Sequence, residues 1–185
     1  MTRILGISGS LRAESFNTAL LHAAARRVPA DVSLEVVTLH GIPLYDGDLE
    51  AREGLPPAVL ALREQIAAAD GLLLSTPEYN SGVPGVFKNA LDWVSRTSAA
   101  HPAVLAGKPV ALIGASPGGF GTISAQAHWL PVLHALGMRQ WSGARLLVSK
   151  AHTVLADNDL QDAALGEQLA RFVAGFAAFA AQAKG

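Results

Sequence analysis

"GLLLSTPEYNSGVPGVFKNALDWVSR", residues 71–96, contains the transition that decides the fold. Gly71 to Ser75 run apolar without polar alternation, the pattern of a strand buried on both faces. Residues 76–85 then crowd two prolines and two glycines together and end the strand. From Val86 to Arg96, the apolar residues Val86, Phe87, Ala90, Leu91 and Val94 recur at helical spacing, with Pro84 placed to open the first turn. A buried strand feeding a helix through a loop is the repeating half of a parallel α/β sheet.

The alternation continues in both directions. Downstream, residues 108–115 (KPVALIGA) read as a strand, 116–121 (SPGGFG) as a loop and 123–136 as a helix. Residues 142–149 (SGARLLVS) supply a fifth strand, and 160–181 a long alanine-rich terminal helix. Upstream, 57–69 have strong helix formers, 32–39 (VSLEVVTL) alternate with β-branched residues, and 3–8 (RILGIS) open the chain as a strand. The helix after that first strand spans 16–28, and Gly41, Pro43 and Gly47 punctuate the stretch after the second. Five mostly apolar strands alternating with five helices predict a parallel sheet covered on both faces. Right-handed crossovers then point to an α/β, flavodoxin-like doubly wound sheet in the order 2-1-3-4-5. The whole of 1–185 is expected to be one domain of this kind.

Composition narrows the chemistry. Fourteen basic residues against fifteen acidic give a net charge of −1, so there is neither a basic field for nucleic acid nor an acidic tail. No apolar run approaches the roughly 20 residues that span a bilayer, and no signal-peptide pattern opens the chain, so a cytoplasmic location is expected. Cysteine is absent, which removes disulfides, thiolate nucleophiles and sulfur-ligated metals. Redox chemistry would require a bound cofactor. The histidines at 22, 40, 101, 128, 134 and 152 show no H-x-x-x-H or H-E-x-x-H spacing, so no metal site is expected. The G-I-S-G-S segment is not a nucleophile elbow. Neither G-x-G-x-x-G nor G-x-x-x-x-G-K-[ST] occurs.

In an open parallel sheet, ligands bind outside the carboxyl ends of the strands, so the loops after strands one, three and four carry the site. The first, with Ser10, Arg12, Ser15 and Asn17, combines hydroxyls, an amide and a cation at a helix N-terminus, a donor set suited to a phosphate. Ser15 and Asn17 also suit a plain helix cap. The second, Thr76 to Gly85, stiffens its backbone with prolines and displays Pro77, Glu78, Tyr79, Asn80 and Ser81. The third, Ser116 to Gly121, lacks bulk at Gly118 and Gly119, where a flat ring can meet backbone, with Phe120 as a wall. A phosphate over the first loop and a planar head between the other two make one site. Asp92 and Trp93 are expected to bound a helix at a subunit contact, with a catalytic role as the alternative.

Residues 9–17 (GSLRAESFN) and 77–93 (PEYNSGVPGVFKNALDW) resemble the two signatures of the NADPH-dependent FMN reductase family, which includes bacterial quinone and chromate reductases. The resemblance is collinear over nearly the whole chain. It implies FMN as cofactor, with Ser10, Arg12, Ser15 and Asn17 around the phosphate and Pro77, Glu78, Tyr79, Asn80 and Ser81 along the ribityl chain and isoalloxazine. Ser116, Gly118 and Gly119 match the family's third flavin loop, where glycine placement varies. The implied activity takes hydride from NADPH or NADH and passes it to a small acceptor such as a quinone, free flavin, azo compound or metal oxyanion. The chemistry then rests on the flavin, with no obligatory catalytic side chain. Arg12, Arg52, Arg96 and Arg145 are the candidates for choosing NADPH over NADH.

A flavodoxin-like electron carrier is the alternative, although the small net charge gives little steering for protein docking. A phosphate-binding module without flavin is a further one. The resemblance also implies a homodimer or homotetramer, for which Phe87, Trp93, Trp129 and Trp141 offer large apolar surface unless they lie in the core or a pocket wall, a reading of equal weight.

Overall fold

The computed structural model describes residues 1–184; Gly185, the last residue of the expected domain, lies outside the described residues. Strand β1 (Thr2–Ser8) leads to helix α1 (Phe16–Ala25), then β2 (Val32–Val37), α2 (Gly47–Glu53), α3 (Pro57–Ala68) and β3 (Gly71–Ser75). Helix α4 (Gly85–Val94) follows, then β4 (Pro109–Ala115), α5 (Ile123–Ala135), β5 (Arg139–Gln140) and β6 (Leu146–Val148). The chain ends with α6 (Ala151–Val154), a hairpin of β7 (Leu155–Ala156) and β8 (Asp159–Leu160), α7 (Ala163–Ala181) and a 3-10 turn. The main sheet is parallel in the order β2-β1-β3-β4-β5, with β6 also on β4, which is the flavodoxin-like topology.

Every residue of β3 and of β4 is buried, as their uninterrupted apolar sequences require. On one face α1 and α7 pack over Ile4, Leu73, Ala111 and Ile113 through Leu20, Leu21, Phe172 and Phe176. On the other, α3, α4 and α5 bring Ile66, Phe87, Leu91 and Trp129 against Leu5, Ile7, Leu72 and Leu74. The register pairs Ser8 with Ser75, Ser75 with Ile113 and Ala115 with Val148. Four strands therefore release their loops at one edge.

The differences from the sequence reading have local causes. The expected fifth strand at 142–149 is split: β5 lies earlier and β6 covers only three residues. The Trp141 backbone N–H still bonds Val110 O at 2.8 Å, but its indole stacks edge-on against Phe172 at 4.8 Å, and the residues that follow leave the ladder until β6. Helix α2 has no buried residue and so left no apolar periodicity to read; Asp46 Oδ1 caps it by accepting from Asp48 N at 2.8 Å. The last helix begins at Ala163 rather than 160, because Asp159 and Leu160 pair with Ala156 and Leu155 in the small hairpin. Asp157 and Asn158 turn that hairpin in the left-handed region.

Phe87, Trp93 and Trp129 are fully buried, which decides for the core over surface offered to a partner. The Trp93 indole donates to Pro43 O at 2.9 Å inside the chain, and Asp92 pairs with Lys88 at 2.6 Å along α4. Neither side chain needs a second subunit.

Candidate functional site

The loops after β1, β3 and β4 converge on one cleft. The first contributes Ser10, Arg12, Ser15 and Asn17, the second Pro77, Glu78 and Tyr79, and the third Ser116. Asn80, Ser81, Gly118 and Gly119 stand outside its lining. The cleft is half open to solvent and offers about 90 Å³, against roughly 10–15 Å³ needed by a single water. It holds a group of phosphate size and leaves anything larger on the open rim.

Glycine permits the convergence. A Cβ on Gly9 would fall 2.3 Å from the Phe87 ring and 2.9 Å from Pro77 Cδ, so the first loop lies directly on the second. A Cβ on Gly114 would fall 1.9 Å from Thr122 Oγ1 and 2.5 Å from Thr76 O. Bare backbone is what lets β4 pass between them.

The first loop turns into α1 with its donors in hand. Ser15 caps the helix, its Oγ accepting from Asn17 N at 3.2 Å and Thr18 N at 3.3 Å. Ser10 is buried and its Oγ accepts from Arg12 N at 3.3 Å. Both hydroxyls retain a hydrogen to donate. The N–H groups of Leu11, Ala13, Glu14 and Phe16 have no partner among the described residues. Nor does the Arg12 guanidinium have an acidic partner among them. An uncommitted cation beside free amides at a helix N-terminus is a receptor for an anion.

Asn17 behaves differently. Its carboxamide donates to Ala115 O at 2.9 Å and accepts from Ala115 N at 3.0 Å and Ser75 Oγ at 3.1 Å. Glu78 is likewise committed, because one carboxylate oxygen accepts from Ala125 N at 3.0 Å and caps α5, whose Thr122 makes no side-chain cap. These interactions tie the second loop to α5 and the first loop to β3 and β4.

The second loop ends in a two-residue reversal. Tyr79 and Gly82 exchange backbone bonds at 3.3 and 3.0 Å, while Asn80 and Ser81 both take positive φ, 50° and 60°. That is a type I′ geometry, which asparagine tolerates and serine adopts at a cost. It lifts Tyr79, 49% exposed, beside the cleft, while Phe120 in the third loop is 82% exposed. The second loop is seated from below: Trp129 Nε1 donates to Thr76 Oγ1 at 3.0 Å, and Thr76 Oγ1 donates to Pro77 O at 2.9 Å.

A fourth segment, residues 40–45, braces the first loop from outside the cleft lining. His40 Nε2 lies 3.1 Å from Leu11 O; a carbonyl only accepts, so Nε2 carries the hydrogen. From there the chain is stitched to α4 by Tyr45 N to Asn89 Oδ1 at 2.8 Å and by Asn89 Nδ2 to Pro43 O at 2.8 Å. Glu50 accepts from the Tyr45 hydroxyl and pairs with Arg96, which raises both the Tyr45 phenol and the Arg96 guanidinium above their ordinary ranges. With Arg52 beside Glu53 at 3.6 Å, Arg12 and Arg145 are the two of the four candidate arginines without an ion pair among the described residues.

The model of the NADPH-dependent FMN reductase family matches residues 2–153. An NAD(P)H-dependent FMN reductase of Pseudomonas aeruginosa is 48% identical over 149 residues, 80% of this chain and 78% of that protein. A quinone reductase of Escherichia coli K12 is 41% identical over 132 residues, 71% of this chain and 69% of its own length. Among solved structures, a flavoenzyme NAD(P)H:(acceptor) oxidoreductase from Paracoccus denitrificans superposes with a TM-score of 0.86 at 30% identity, covering 98% of each chain. An archaeal flavodoxin, at 10% identity and a TM-score of 0.63, shares the fold.

Proposed function

Because the chain belongs to the NADPH-dependent FMN reductase family and is an NAD(P)H-dependent FMN oxidoreductase acting on small acceptors, quinone or flavin, we propose that the three-loop cleft is where it holds FMN. The observation that carries the assignment is the anion receptor of the first loop: a buried Ser10 hydroxyl, the Ser15 hydroxyl, free N–H groups and an Arg12 with no acidic partner among the described residues. These residues fit a phosphate monoester by donor type and by the about 90 Å³ of space. Asn17 also lines this space.

Bound FMN supplies the hydride-accepting and hydride-donating chemistry. The protein's part is to hold and orient. Ser10, Arg12 and Ser15 grip the phosphate. Backbone groups of Pro77 to Ser81 and of Ser116, Gly118 and Gly119 would border the ribityl chain and the ring. Ser116 N is already given to Val148 O at 3.0 Å, whereas the N–H groups of Gly118 and Gly119 have no partner among the described residues and would be the third loop's donors toward a polar ring edge. The exposed Tyr79 and Phe120 leave the planar end open, so that the electron donor and then the acceptor occupy one place in turn. No side chain is assigned a proton-transfer role.

The test is the visible spectrum of the purified protein before and after anaerobic NADPH. A flavin spectrum that bleaches without added reductase supports the assignment. A protein that stays colourless after growth with excess riboflavin and loading with FMN refutes it. Parallel lines in double-reciprocal plots are expected for one cleft serving donor and acceptor alternately; intersecting lines count against that use.

Residues 1–185 are read as one domain and its location as cytoplasmic, where NAD(P)H is supplied; no helix among the described residues is long and apolar enough to cross a membrane. The homodimer or homotetramer is assigned to the outer face of α5. Ile123, Ala127 and Leu130, spaced i, i+4 and i+7, are exposed there beside Phe120. Light scattering on Leu130→Asp should report a smaller particle than the wild type; an unchanged mass removes that face from consideration.

A further inference from the structure

We infer that Asn17 is a positioning residue, the clamp that holds the three cofactor loops in register, rather than a ligand of the FMN phosphate. The inference rests on the FMN reading above and concerns what one side chain of that cleft does. Asn17 sits in the first turn of α1, and its side chain is almost completely buried, with the residue 3% exposed. Its carboxamide meets the peptide of Ala115 as a second peptide would, giving one bond through Nδ2 at 2.9 Å and taking one through Oδ1 at 3.0 Å. Ala115 is the last residue of β4, immediately before Ser116. The same Oδ1 accepts from Ser75 Oγ at 3.1 Å, and Ser75 is the last residue of β3, immediately before Thr76 and Pro77. A single carboxamide thus joins the start of the first helix to the ends of both strands that launch the other two loops.

Both acceptor directions of Oδ1 and one of the two Nδ2 hydrogens are used in these bonds. A single hydrogen remains for any ligand, whereas Arg12 has its full guanidinium free of carboxylate partners among the described residues. The burial sharpens the effect, because removing the carboxamide would strand the Ala115 N–H and C=O and the Ser75 hydroxyl away from water. The loops bearing Pro77 and Ser116 would then shift relative to the phosphate site. Such a shift acts on the ring end of the cofactor as much as on the phosphate end.

That difference can be measured on flavin-free protein by titrating FMN and riboflavin, which share the ring and ribityl chain and differ in the phosphate. Asn17→Ala is expected to weaken both ligands together, each by about tenfold or more, with the FMN-to-riboflavin affinity ratio within about twofold of wild type. Arg12→Ala is the comparator and should lower FMN alone, collapsing the ratio. Should Asn17→Ala fail to fold, Ser75→Ala removes one bond of the clamp and should weaken both ligands by about twofold to tenfold at constant ratio. Loss of FMN affinity alone, with riboflavin unaffected, would make Asn17 a phosphate ligand and overturn the inference. Unchanged affinity for both ligands in Asn17→Ala, or in Ser75→Ala where that variant carries the test, would overturn it too. A wild-type protein that binds neither ligand sinks the FMN reading itself, and this inference with it.

Discussion

Gly114→Ala places one methyl group where β4 passes beneath the second loop. The added Cβ would lie 1.9 Å from Thr122 Oγ1, 2.5 Å from Thr76 O and 3.0 Å from Thr122 Cβ. Thr122 can rotate its hydroxyl, at the cost of the 3.3 Å bond from Gln126 Nε2. Thr76 O is backbone and cannot swing aside, since Thr76 N is bonded to Ile113 O at 2.9 Å. Inserting a methyl into a packed interior costs about 1–3 kcal/mol, and contact with a fixed backbone oxygen puts this case at the upper end. The entropy gained by replacing glycine in the unfolded chain returns only about 0.4–1 kcal/mol. A net loss of about 2–2.6 kcal/mol corresponds to roughly 4–10 °C in Tm for a chain of this size. Calorimetry must use flavin-free protein, because a ligand at 100 times its Kd adds about 2.7 kcal/mol, and weaker FMN binding by the variant would then be read as lost folding stability. FMN affinity should fall in the same variant, since Pro77 follows the displaced carbonyl. A Tm within about 2 °C of wild type, with FMN binding intact, would refute the account of how β4 seats the loop.

Gly119→Ala is the counterpart: nothing lies within 4 Å of its added Cβ, so the Tm of the flavin-free protein should not move, while FMN titration should show weaker binding where the ring lies against that backbone. Arg63 is 5% exposed and donates to the carbonyls of Val94, Arg96 and Pro102, stapling the end of α4. Arg63→Met leaves three acceptors unpaired and should cost about 2–4 kcal/mol by chemical denaturation; a loss below about 1 kcal/mol would show that water satisfies them. Burial by itself pushes the Asp159 carboxyl up. The hydrogen bonds from Arg27 and Leu160 and the charges of Arg27 and Arg26 outweigh it and hold the group below its ordinary range. A carboxyl lowered on folding adds stability that is complete above its unfolded pKa, ~3.9, and lost as pH falls through the lower folded value. The stability gap between wild type and Asp159→Asn should therefore be constant near neutrality and close below about pH 4; a gap that persists in acid would show that packing rather than charge holds the hairpin.

Much of the fold was legible because parallel strands buried on both faces leave a signal that needs no partner information. GLLLS and PVALIGA are strands in sequence and in structure. The failures fall where a segment's behaviour is set elsewhere. Nothing within 142–149 shows that Trp141 is drawn onto Phe172 and Phe176 and takes the ladder with it. Helix α2, with no buried residue, is held by capping and by the Glu50 contacts to Tyr45 and Arg96, so apolar periodicity had nothing to detect. The large aromatics stay open in sequence for a related reason: a tryptophan has the same apolar surface whether it faces a partner or the core, and only the neighbouring elements decide.

The cleft shows the same division at finer grain. Glycine, proline and hydroxyl clusters at the ends of strands one, three and four identified its loops, because conformation and donor type are local properties of a residue. What each side chain does there is not local. Asn17 and Ala115 are 98 positions apart, as Glu78 and Ala125 are 47 apart, and both side chains are spent on joining segments. In a motif such as GSLRAESFN, polar residues of one chemical type thus divide between those that face the ligand and those that fix the ground it rests on. Burial and completed hydrogen bonds separate the two groups: Arg12 is exposed and free of acidic partners among the described residues, whereas Asn17 is enclosed and already bonded three times. Substituting the first kind should change which ligand binds. Substituting the second should change how well any ligand of that shape binds.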